Sequence, residues 1–467
     1  MPATSWCASA AFADVDHDGD LDLYLGRLVE LARVPEKAQL RFPDDWNGER
    51  FEFITDTLSA GILGELVAPG LYWQPDPDEW IRIRGDQLKP RDGALELRFV
   101  NHLEEVTYAD RFRLVAVDHP AEVEVYPGER MVGEPRNRAP TKVHALRNLR
   151  PAVRVTDHRG ADVTRTLAAA DRAHFEGFTL KPFQGFAEDW SLTLDLGAAV
   201  PPRTVLLLHG WTRWSSSASA LAAAQAKLAL HGPSLDVRGT DGAWRAGIED
   251  LGVPAGLPRT ILADLSGVLR AGERTVRIRT NRRVYLDQAL VAEVVQSFDP
   301  ASGRPEAPLA ANELPLKGGE LRWLGYPKRF VPEGKAPEVY EYQAIDPEAS
   351  WGTHSGRLTR RGDVTPLLEE IDDRFVVMSH GEEIALSFDA ARLPVLGDGL
   401  RRTYLLLAHG YEKGFELHAA EARTVAPLPY RSMGSYPPPE GGFAADEARL
   451  SYLFEWNTRA SFLDLTR

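Results

Sequence analysis

Residues 94–118 read ALELRFVNHLEEVTYADRFRLVAVD, and two segments of this stretch predict β-strands. Apolar and polar residues alternate in ALELRFVN (94–101), and nearly alternate in RFRLVAVD (111–118). A period of two is typical of a strand that buries one face. The triplet RDG (91–93) before them is a turn signal, because Asp and Gly accept the backbone geometry of tight turns. This region therefore predicts strands joined by turns.

The same pattern recurs along most of the chain. Further strand-like segments are AEVEVYP (121–127), WSLTLDL (190–196), TVRIRT (275–280) and EEIALSFD (382–389). One convincing helix candidate is the Ala-rich segment 217–230, and a second candidate, 445–456, lies near the C-terminus. Many short strands with few helices are typical of β-sandwiches and β-propellers. We expect a mostly β protein in which residues 61–298 form antiparallel sandwich domains (jelly-roll or galactose-binding-like) rather than a parallel sheet.

Composition excludes several classes of protein. The 467 residues carry 54 Lys and Arg against 68 Asp and Glu, a net charge of −14. That balance argues against general affinity for nucleic acid or anionic membranes. The single cysteine, Cys7, excludes an intrachain disulfide. No apolar run approaches the roughly 18 residues of a membrane span, and the first residues lack the pattern of a signal peptide.

An acidic loop near the start predicts a calcium site. The segment DVDHDGDLDLYLG (14–26) has the pattern D-x-D-x-D-G-x-x-D, with a glycine that permits a sharp turn. Ca²⁺ prefers six to eight oxygen ligands, and alternate positions of a tight loop can supply them. The expected ligands of a Ca²⁺ cofactor are Asp14, Asp16, Asp18, Asp20 (through its carbonyl) and Asp22. The alternative is an acidic turn without metal.

The predicted domain boundaries follow shifts in composition. Residues 1–60 carry the acidic loop, and residues 61–149 and 150–298 form two strand-rich blocks. A Pro- and Gly-rich stretch follows, so residues 299–467 are expected to form a mixed β and irregular region. Because a single strand–loop–strand unit cannot bury its own apolar face, we expect the chain to be a fragment of something longer.

Two sets of residues resemble a known family. The first block resembles the FG-GAP/VCBS repeat, a calcium-binding blade of integrin-type β-propellers, at Phe12, Asp14, Asp16, Asp18, Gly19, Asp22 and Leu23. Later segments resemble the C-terminal half of large bacterial FG-GAP proteins related to cartilage acidic protein 1, the CRTAC/ASPIC group. They include LVAPGLYW (66–73), RTNRRVYLDQ (279–288) and LAHGYEKG (407–414). The resemblance implies a propeller remnant, calcium binding and an extracytoplasmic location.

An aromatic group predicts a ligand surface. Trp211, Trp214 and Tyr285 could stack on a sugar, while Asp287 and Gln288 hydrogen-bond its hydroxyl groups. The alternative is core packing, because aromatic residues are the usual large side chains of β-sandwiches.

The leading functional hypothesis is a non-enzymatic adhesion or recognition protein that binds a protein or glycan ligand at the cell surface, with no catalytic residues. The alternative is a hydrolase of carbohydrate or ester substrates. TVLLLHGWTRW (204–214) resembles the oxyanion strand of an α/β-hydrolase, but the chain lacks the G-x-S-x-G elbow of that fold. Paired carboxylates from distant strands would be needed for glycoside cleavage. A deep pocket with clustered acids would favour the enzyme, and a shallow aromatic face would favour binding.

Overall fold

The computed structural model describes residues 7–13, 22–27, 45–46, 51–131, 141–197, 200–254, 257–301, 305–334, 336–346, 353–439 and 447–462. The chain divides into two compact bodies, Met1–Arg41 and Phe42–Arg467. Of the described residues, 48% lie in strands and 8% in helices, and the strands form several sheets, one of them curled into a half-barrel. This confirms the prediction of a mostly β protein.

The strands are given in chain order. The first ten are β1 (Cys7–Ala13), β2 (Asp22–Arg27), β3 (Asp45–Trp46), β4 (Phe51–Glu52), β5 (Leu66–Ala68), β6 (Leu71–Tyr72), β7 (Asp78–Arg84), β8 (Ala94–Asn101), β9 (Glu105–Pro120) and β10 (Glu124–Pro127). The middle of the chain forms β11 (Val143–Pro151), β12 (Arg154–Asp157), β13 (Phe186–Asp195), β14 (Thr204–Thr212), β15 (Ser234–Arg238), β16 (Trp244–Ile248), β17 (Arg259–Asp264), β18 (Thr275–Arg282) and β19 (Val284–Phe298).

The last part of the chain adds shorter strands and one long one. These are β20 (Ala310–Leu314), β21 (Leu316–Trp323), β22 (Tyr326–Phe330), β23 (Val339–Asp346), β24 (Gly356–Leu358), β25 (Gly362–Asp363), β26 (Val376–Ser379), β27 (Glu382–Asp389), β28 (Leu400–Gly414) and β29 (Arg459–Ser461). The α-helices are α1 (Ser217–Gln225) and α2 (Glu447–Trp456), and short 3₁₀ turns occur at Ser59–Gly61, Pro332–Gly334, Thr365–Leu367 and Ala390–Arg392.

Helix α1 starts where the sequence predicts and ends earlier. The Ser216 hydroxyl accepts a hydrogen bond from the Ser219 amide at 3.1 Å, which caps the first turn. The helix stops at Gln225 rather than at residue 230 because Lys227 is left-handed, with φ of 59°. The amides of Lys227 and Leu228 then donate to the last carbonyls of the helix, which is a Schellman ending without its usual glycine.

In the first body, β1 and β2 pair as antiparallel strands with Ala13 opposite Asp22. They lie on either side of the predicted calcium loop. The expected ligands Asp14, Asp16, Asp18 and Asp20 lie outside the described residues, while Asp22 begins β2.

In the second body, β11 to β19 form what we call the inserted unit. One of its sheets has the order β10-β11-β19-β14-β17, and the other has the order β12-β13-β18-β15-β16. Buried side chains of both sheets belong to one hydrophobic cluster, for example Leu206 and Val291 from the first sheet and Leu192 and Ile278 from the second. The two sheets therefore share one core.

The split unit combines strands from both sides of the inserted unit. One sheet has the order β20-β9-β28-β7, with β26 also paired to β9, and the other has the order β25-β21-β27-β8-β3-β4. Their shared cluster includes Leu114 of β9, Leu97 of β8, Leu386 of β27 and Leu406 of β28. Strands from the predicted block 61–149 thus pair with strands of the last third of the chain.

The two units have the same arrangement of strands. The order β11-β19-β14-β17 corresponds to β20-β9-β28-β7, and β12-β13-β18-β15-β16 corresponds to β21-β27-β8-β3-β4. Along the chain, the inserted unit runs from β11 to β19 without a break. The split unit runs through β20, β21, β27 and β28 and then restarts with β3, β4, β7, β8 and β9. The split unit is therefore a circularly permuted version of the inserted unit.

This arrangement predicts different folding behaviour for two fragments. A fragment of residues 121–298 contains every strand of the inserted unit's sheets, so we expect it to fold alone. A fragment of residues 299–467 lacks β7, β8 and β9, so we expect it to remain largely unfolded. Circular dichroism and thermal melting of the isolated fragments would test this. A cooperative β-type transition for residues 299–467 would contradict the shared sheets and favour the sequential domains predicted from composition.

Candidate functional site

A His-Gly pair interrupts an interior strand of one sheet in each unit. The register of β14 shifts between His209 and Gly210, and that of β28 shifts between His409 and Gly410. A Cβ atom on Gly210 would lie 2.1 Å from the carbonyl oxygen of Tyr285, and one on Gly410 would lie at 2.4 Å from a tyrosine carbonyl. Only glycine fits such a close approach of two backbones.

Each histidine bonds to the residue directly opposite on the outer neighbouring strand. The Nδ1 atom of His209 lies 2.9 Å from the Thr260 hydroxyl, and that of His409 lies 2.8 Å from an Asp78 carboxylate oxygen. Both rings are therefore held in place by strand pairing.

A Tyr-x-Asp sequence on the other neighbouring strand completes the repeated arrangement. The Asp287 carboxylate on β19 accepts hydrogen bonds from the amides of residues 171 and 172, at 3.3 and 3.0 Å. The Asp110 carboxylate on β9 accepts from the amides of residues 372 and 373, at 3.4 and 3.3 Å. The second residue of each loop is left-handed, with φ of 66° at Arg172 and 63° at Asp373.

The recurrence of this arrangement assigns it to the scaffold. Since both units contain the His-Gly pair and the loop-binding aspartate, neither feature marks a single active site. Both neighbours of β14 are antiparallel to it. The hydrolase-like strand TVLLLHGWTRW (204–214) therefore does not belong to a parallel α/β-hydrolase sheet. Sequence reasoning missed the repeat, although LLLHGW (206–211) and LLLAHGY (405–411) carried its signal.

Two of the predicted aromatic ligand residues lie against each other. Trp211 and Tyr285 are opposite on β14 and β19, and their rings stack at 4.2 Å between centroids with an angle of 7°. Trp211 is 5% exposed, while Trp214 and Tyr285 are partly buried against the core of the inserted unit. The stack covers one face of each ring, so a ligand would meet mainly Trp214 and the remaining surface of Tyr285.

The two polar residues predicted to serve that surface, Asp287 and Gln288, instead hydrogen-bond to the protein's own backbone. Asp287 is 3% exposed and holds the loop at residues 171–172, as described above. The Gln288 side chain donates to the Ala168 carbonyl at 3.4 Å. The structure therefore brings Trp211, Tyr285 and Asp287 into one region, with the carboxylate directed to the protein's own backbone.

A cavity lined by acids lies in the split unit, and sequence reasoning did not find it. The carboxyl groups of Glu105 on β9 and Glu412 on β28 hydrogen-bond to each other. Asp56 lines the same cavity, which has a volume of about 70 Å³. Its other walls are mainly apolar, from side chains that include Ile81, Leu97, Phe99, Leu386 and Leu406.

Burial and mutual repulsion change the protonation of these acids. Burial raises the pKa of Glu105 to about 8, and the nearby Asp56 charge adds to the effect. Burial, followed by the charges of Glu105, Asp56 and Glu79, raises the pKa of Glu412 well above its usual range. The close pair is therefore expected to retain a proton at neutral pH, because two carboxylates at hydrogen-bonding distance do not both ionise readily.

A buried ion pair adjoins the cavity. Arg259 of the inserted unit bonds to Glu79 of β7, and its guanidinium also donates to the Asp56 carbonyl at 2.5 Å. Glu79 accepts a hydrogen bond from the Leu58 amide as well.

Residues 54 and 55 also line a second cleft of about 170 Å³, whose walls include Arg82, Arg84 and Arg259. The segment before β5 thus lines both the acidic cavity and a second cleft that contains three arginines.

An asparagine at the end of β8 has an oxygen without a hydrogen-bond partner. Asn101 is 2% exposed and lines the acidic cavity. Its amide nitrogen donates to the Glu105 carbonyl at 3.1 Å and to the Thr107 hydroxyl at 2.9 Å, but Oδ1 finds no donor among the described residues. The inserted unit has Asn281 at the end of β18, and its Oδ1 accepts from the His231 amide at 2.7 Å.

The acids are specific to the split unit. In the split unit, Glu412 lies opposite Thr107. At the equivalent place in the inserted unit, Thr212 lies opposite Val284, so Thr212 stands where the split unit has Glu412. Glu105 lies in the connection of six residues (102–107) between Asn101 and Tyr108. The equivalent connection, between Asn281 and Tyr285, has only three (282–284). The scaffold residues recur in both units, and the acidic lining does not.

Comparisons of the chain with protein-family models, curated proteins and solved structures found no match. Among the described residues, no helix is both long and apolar enough to cross a membrane. In the same part of the chain, no group of three or more His, Cys, Asp or Glu side chains is placed to hold a metal ion.

The raised pKa values predict a stability that falls as pH rises. Below pH 4.5, the ordinary pKa of glutamate, the pair is protonated in both folded and unfolded chains and adds no penalty. Above it the unfolded chain ionises while the folded pair retains protons, so the free energy of unfolding declines toward pH 8. We expect Glu412→Gln to reduce this decline by on the order of 1–2 kcal/mol, because a shift of one pKa unit corresponds to about 1.4 kcal/mol.

Urea unfolding at pH 5, 6, 7 and 8 would measure the effect. The exposed Glu122→Gln is the matched control, and it should leave the pH dependence unchanged. If the Glu412 variant keeps the wild-type dependence of the free energy of unfolding on pH, the acid pair does not cause the decline.

Proposed function

We propose that the chain is a non-enzymatic, extracytoplasmic recognition protein that binds a protein or glycan ligand and is stabilised by Ca²⁺ at its N-terminal loop. We further propose that this loop belongs to a propeller remnant and that the two units behind it are β-sandwich domains. In support of the sandwich assignment, each unit places two antiparallel sheets around a common hydrophobic cluster. The extracytoplasmic location rests on the family resemblance of the acidic loop.

The observation that carries the non-enzymatic assignment is the geometry of the acid pair. Glycoside hydrolysis uses two carboxyl groups about 5–9.5 Å apart with the substrate between them. Glu105 and Glu412 instead bond directly to each other. The cavity beside them, about 70 Å³, is far smaller than the roughly 300–1,000 Å³ of small-molecule sites. The clustered acids therefore do not form a cleft that would accept a sugar ring.

The proposed glycan surface is the partly exposed edge formed by Trp214 and Tyr285. Aromatic rings bind sugars through their apolar faces, and polar rims supply hydrogen bonds. Ser215 and Ser216 follow Trp214 directly and are partly exposed, so they offer such a rim.

A binding screen and an activity screen on the same preparation test this proposal. We expect the protein to bind a member of a glycan array or a surface-protein library with micromolar affinity. We expect no turnover of chromogenic glycosides, esters or peptides above the rate without protein. For a glycan ligand, Trp214→Ala should weaken binding at least about tenfold, or about 1.4 kcal/mol.

The matched control is Trp323→Ala, which removes a tryptophan that is 43% exposed in the other unit. Turnover that Glu412→Gln abolishes would overturn the non-enzymatic proposal in favour of a hydrolase. Equal losses from the two tryptophan variants would overturn the assignment of the surface.

The calcium proposal predicts a local stabilisation. Without metal, the aspartates of the loop repel one another, and with Ca²⁺ each becomes a ligand at about 2.3–2.6 Å. Extracellular calcium modules bind at about 10⁻⁴–10⁻³ M, so about 2 mM Ca²⁺ should stabilise the loop region by on the order of 1 kcal/mol. Hydrogen exchange of β1 and β2 with Ca²⁺ and with EDTA would measure it, and Asp18→Ala should remove most of the difference. Equal protection in both conditions would contradict the metal site.

A further inference from the structure

We infer that the acidic cavity of the split unit binds a small primary ammonium group carried on a short alkyl chain. This goes beyond the proposed function, which uses the cavity only as an argument against hydrolysis. The inference rests on the polar atoms that line the cavity, its apolar walls, its size and its charge.

The polar residues that line the cavity include several acceptors. Asp56, Glu105 and Glu412 supply carboxyl oxygens, and the buried Asn101 presents an Oδ1 atom that has no donor among the described residues. A buried acceptor without a donor destabilises the folded chain, because it has lost its hydrogen bonds to water. A ligand that carries several N–H donors would satisfy it.

The inserted unit indicates which kind of group this position accepts. Its Asn281 is equivalent to Asn101, and its Oδ1 atom accepts a hydrogen bond from the His231 backbone amide at 2.7 Å. The same carboxamide position is therefore built to receive an N–H group. In the split unit, the N–H donor would come from the ligand.

The rest of the cavity fits a short alkyl chain. Ile81, Leu97, Phe99, Leu386 and Leu406 are among its lining residues. Its volume of about 70 Å³ corresponds to roughly five to seven water positions at 10–15 Å³ each, which suits an amine of one to three carbons. A fully hydrated metal ion would not use these apolar walls.

The charges around the cavity favour a cation. Glu412 interacts with the charges of three further acids, Glu105, Asp56 and Glu79. The guanidinium of Arg259 is bonded to Glu79. His102 and Arg98 also line the cavity. Burial lowers the pKa of His102 to about 3, so it contributes no positive charge at neutral pH, and the charge of Arg98 interacts with three further acids, Glu383, Glu96 and Glu320.

An ammonium ion fits better than Ca²⁺. Within the described part of the chain, these acids do not form a group placed to hold a metal ion. An ammonium group instead uses directional N–H bonds of about 2.7–2.9 Å to separate acceptors. The three N–H donors of the ammonium group equal in number the acceptors offered by the Asn101 oxygen and two carboxyl groups.

Isothermal titration calorimetry of the full chain with n-propylammonium chloride tests the inference. The titration is run at pH 7 in about 0.15 M salt, where exposed charges beyond roughly 8 Å are screened. We expect one site per chain. We expect no binding of n-propanol, which lacks the charge, or of tetramethylammonium, which lacks N–H donors. Titration in two buffers of different ionisation enthalpy should show proton release, because a bound cation favours ionisation of the Glu105–Glu412 pair.

Variants separate this site from general attraction to an acidic protein. Glu412→Gln should weaken propylammonium binding at least about tenfold, whereas the exposed Glu122→Gln should leave it unchanged. If Glu412→Gln does not fold, the comparison of propylammonium with its two analogues on the wild-type chain still decides the question.

The inference is overturned if propylammonium does not bind or if propanol binds equally well. Binding of Ca²⁺ without binding of the amine would also overturn it, and would identify a metal site instead. Equal affinity in wild type and the Glu412 variant would place the amine elsewhere. None of these results bears on the screen for turnover or on the Trp214 surface, so the two proposals can fail separately.

Discussion

The pairing of β9 with β28 is the interaction on which the split unit depends. It runs from Leu400 opposite Pro120 to Gly414 opposite Glu105, and β28 also pairs with β7 on its other side. The pairing joins segments that the whole inserted unit separates in sequence. It also brings Glu105 and Glu412 to the same end of the sheet, so the acidic cavity exists only when this unit is closed.

Because the chain contains two similar units, features that belong to the scaffold can be distinguished from features that occur in only one unit. Features that recur in both units are explained by backbone geometry. One such feature is a glycine at a point where a Cβ atom would lie only 2.1 or 2.4 Å from a carbonyl oxygen of the neighbouring strand. The other is an aspartate whose carboxylate accepts hydrogen bonds from loop amides. Features that occur once need another explanation. Glu412 and the longer turn that supplies Glu105 are of this second kind, as is the partnerless oxygen that Asn101 has within the described part of the chain.

Local patterns in the sequence predict the strands but not their partners. The segment 94–101 is observed as β8, and 111–118 lies within β9, because a period of two follows from burial of one face. Strand β9 begins earlier than the alternation suggests, at Glu105, and most of its residues are buried. The start of α1 was predictable from Ser216, whereas its end depends on a left-handed lysine that no local rule favours.

The candidate sites were predictable to different degrees. The proximity of Trp211 and Tyr285 follows the prediction, because both lie on strong strands of the same block. The acid pair was not predictable, since Glu105 and Glu412 belong to distant segments and their pKa values are raised by burial that only the folded chain creates. The aspartates of the calcium loop remain a prediction from their spacing.

The most direct test of the account is whether Leu114 of β9 contacts Leu406 of β28, which lie opposite each other in the core of the split unit. Methyl-labelled protein would be examined for cross-peaks between the methyl groups of these two leucines. The Leu206–Val291 pair of the inserted unit provides the internal reference. Closure of the split unit predicts cross-peaks of similar strength for both pairs. A Leu206–Val291 cross-peak without one between Leu114 and Leu406 would contradict closure of the split unit by strands from both sides of the inserted one.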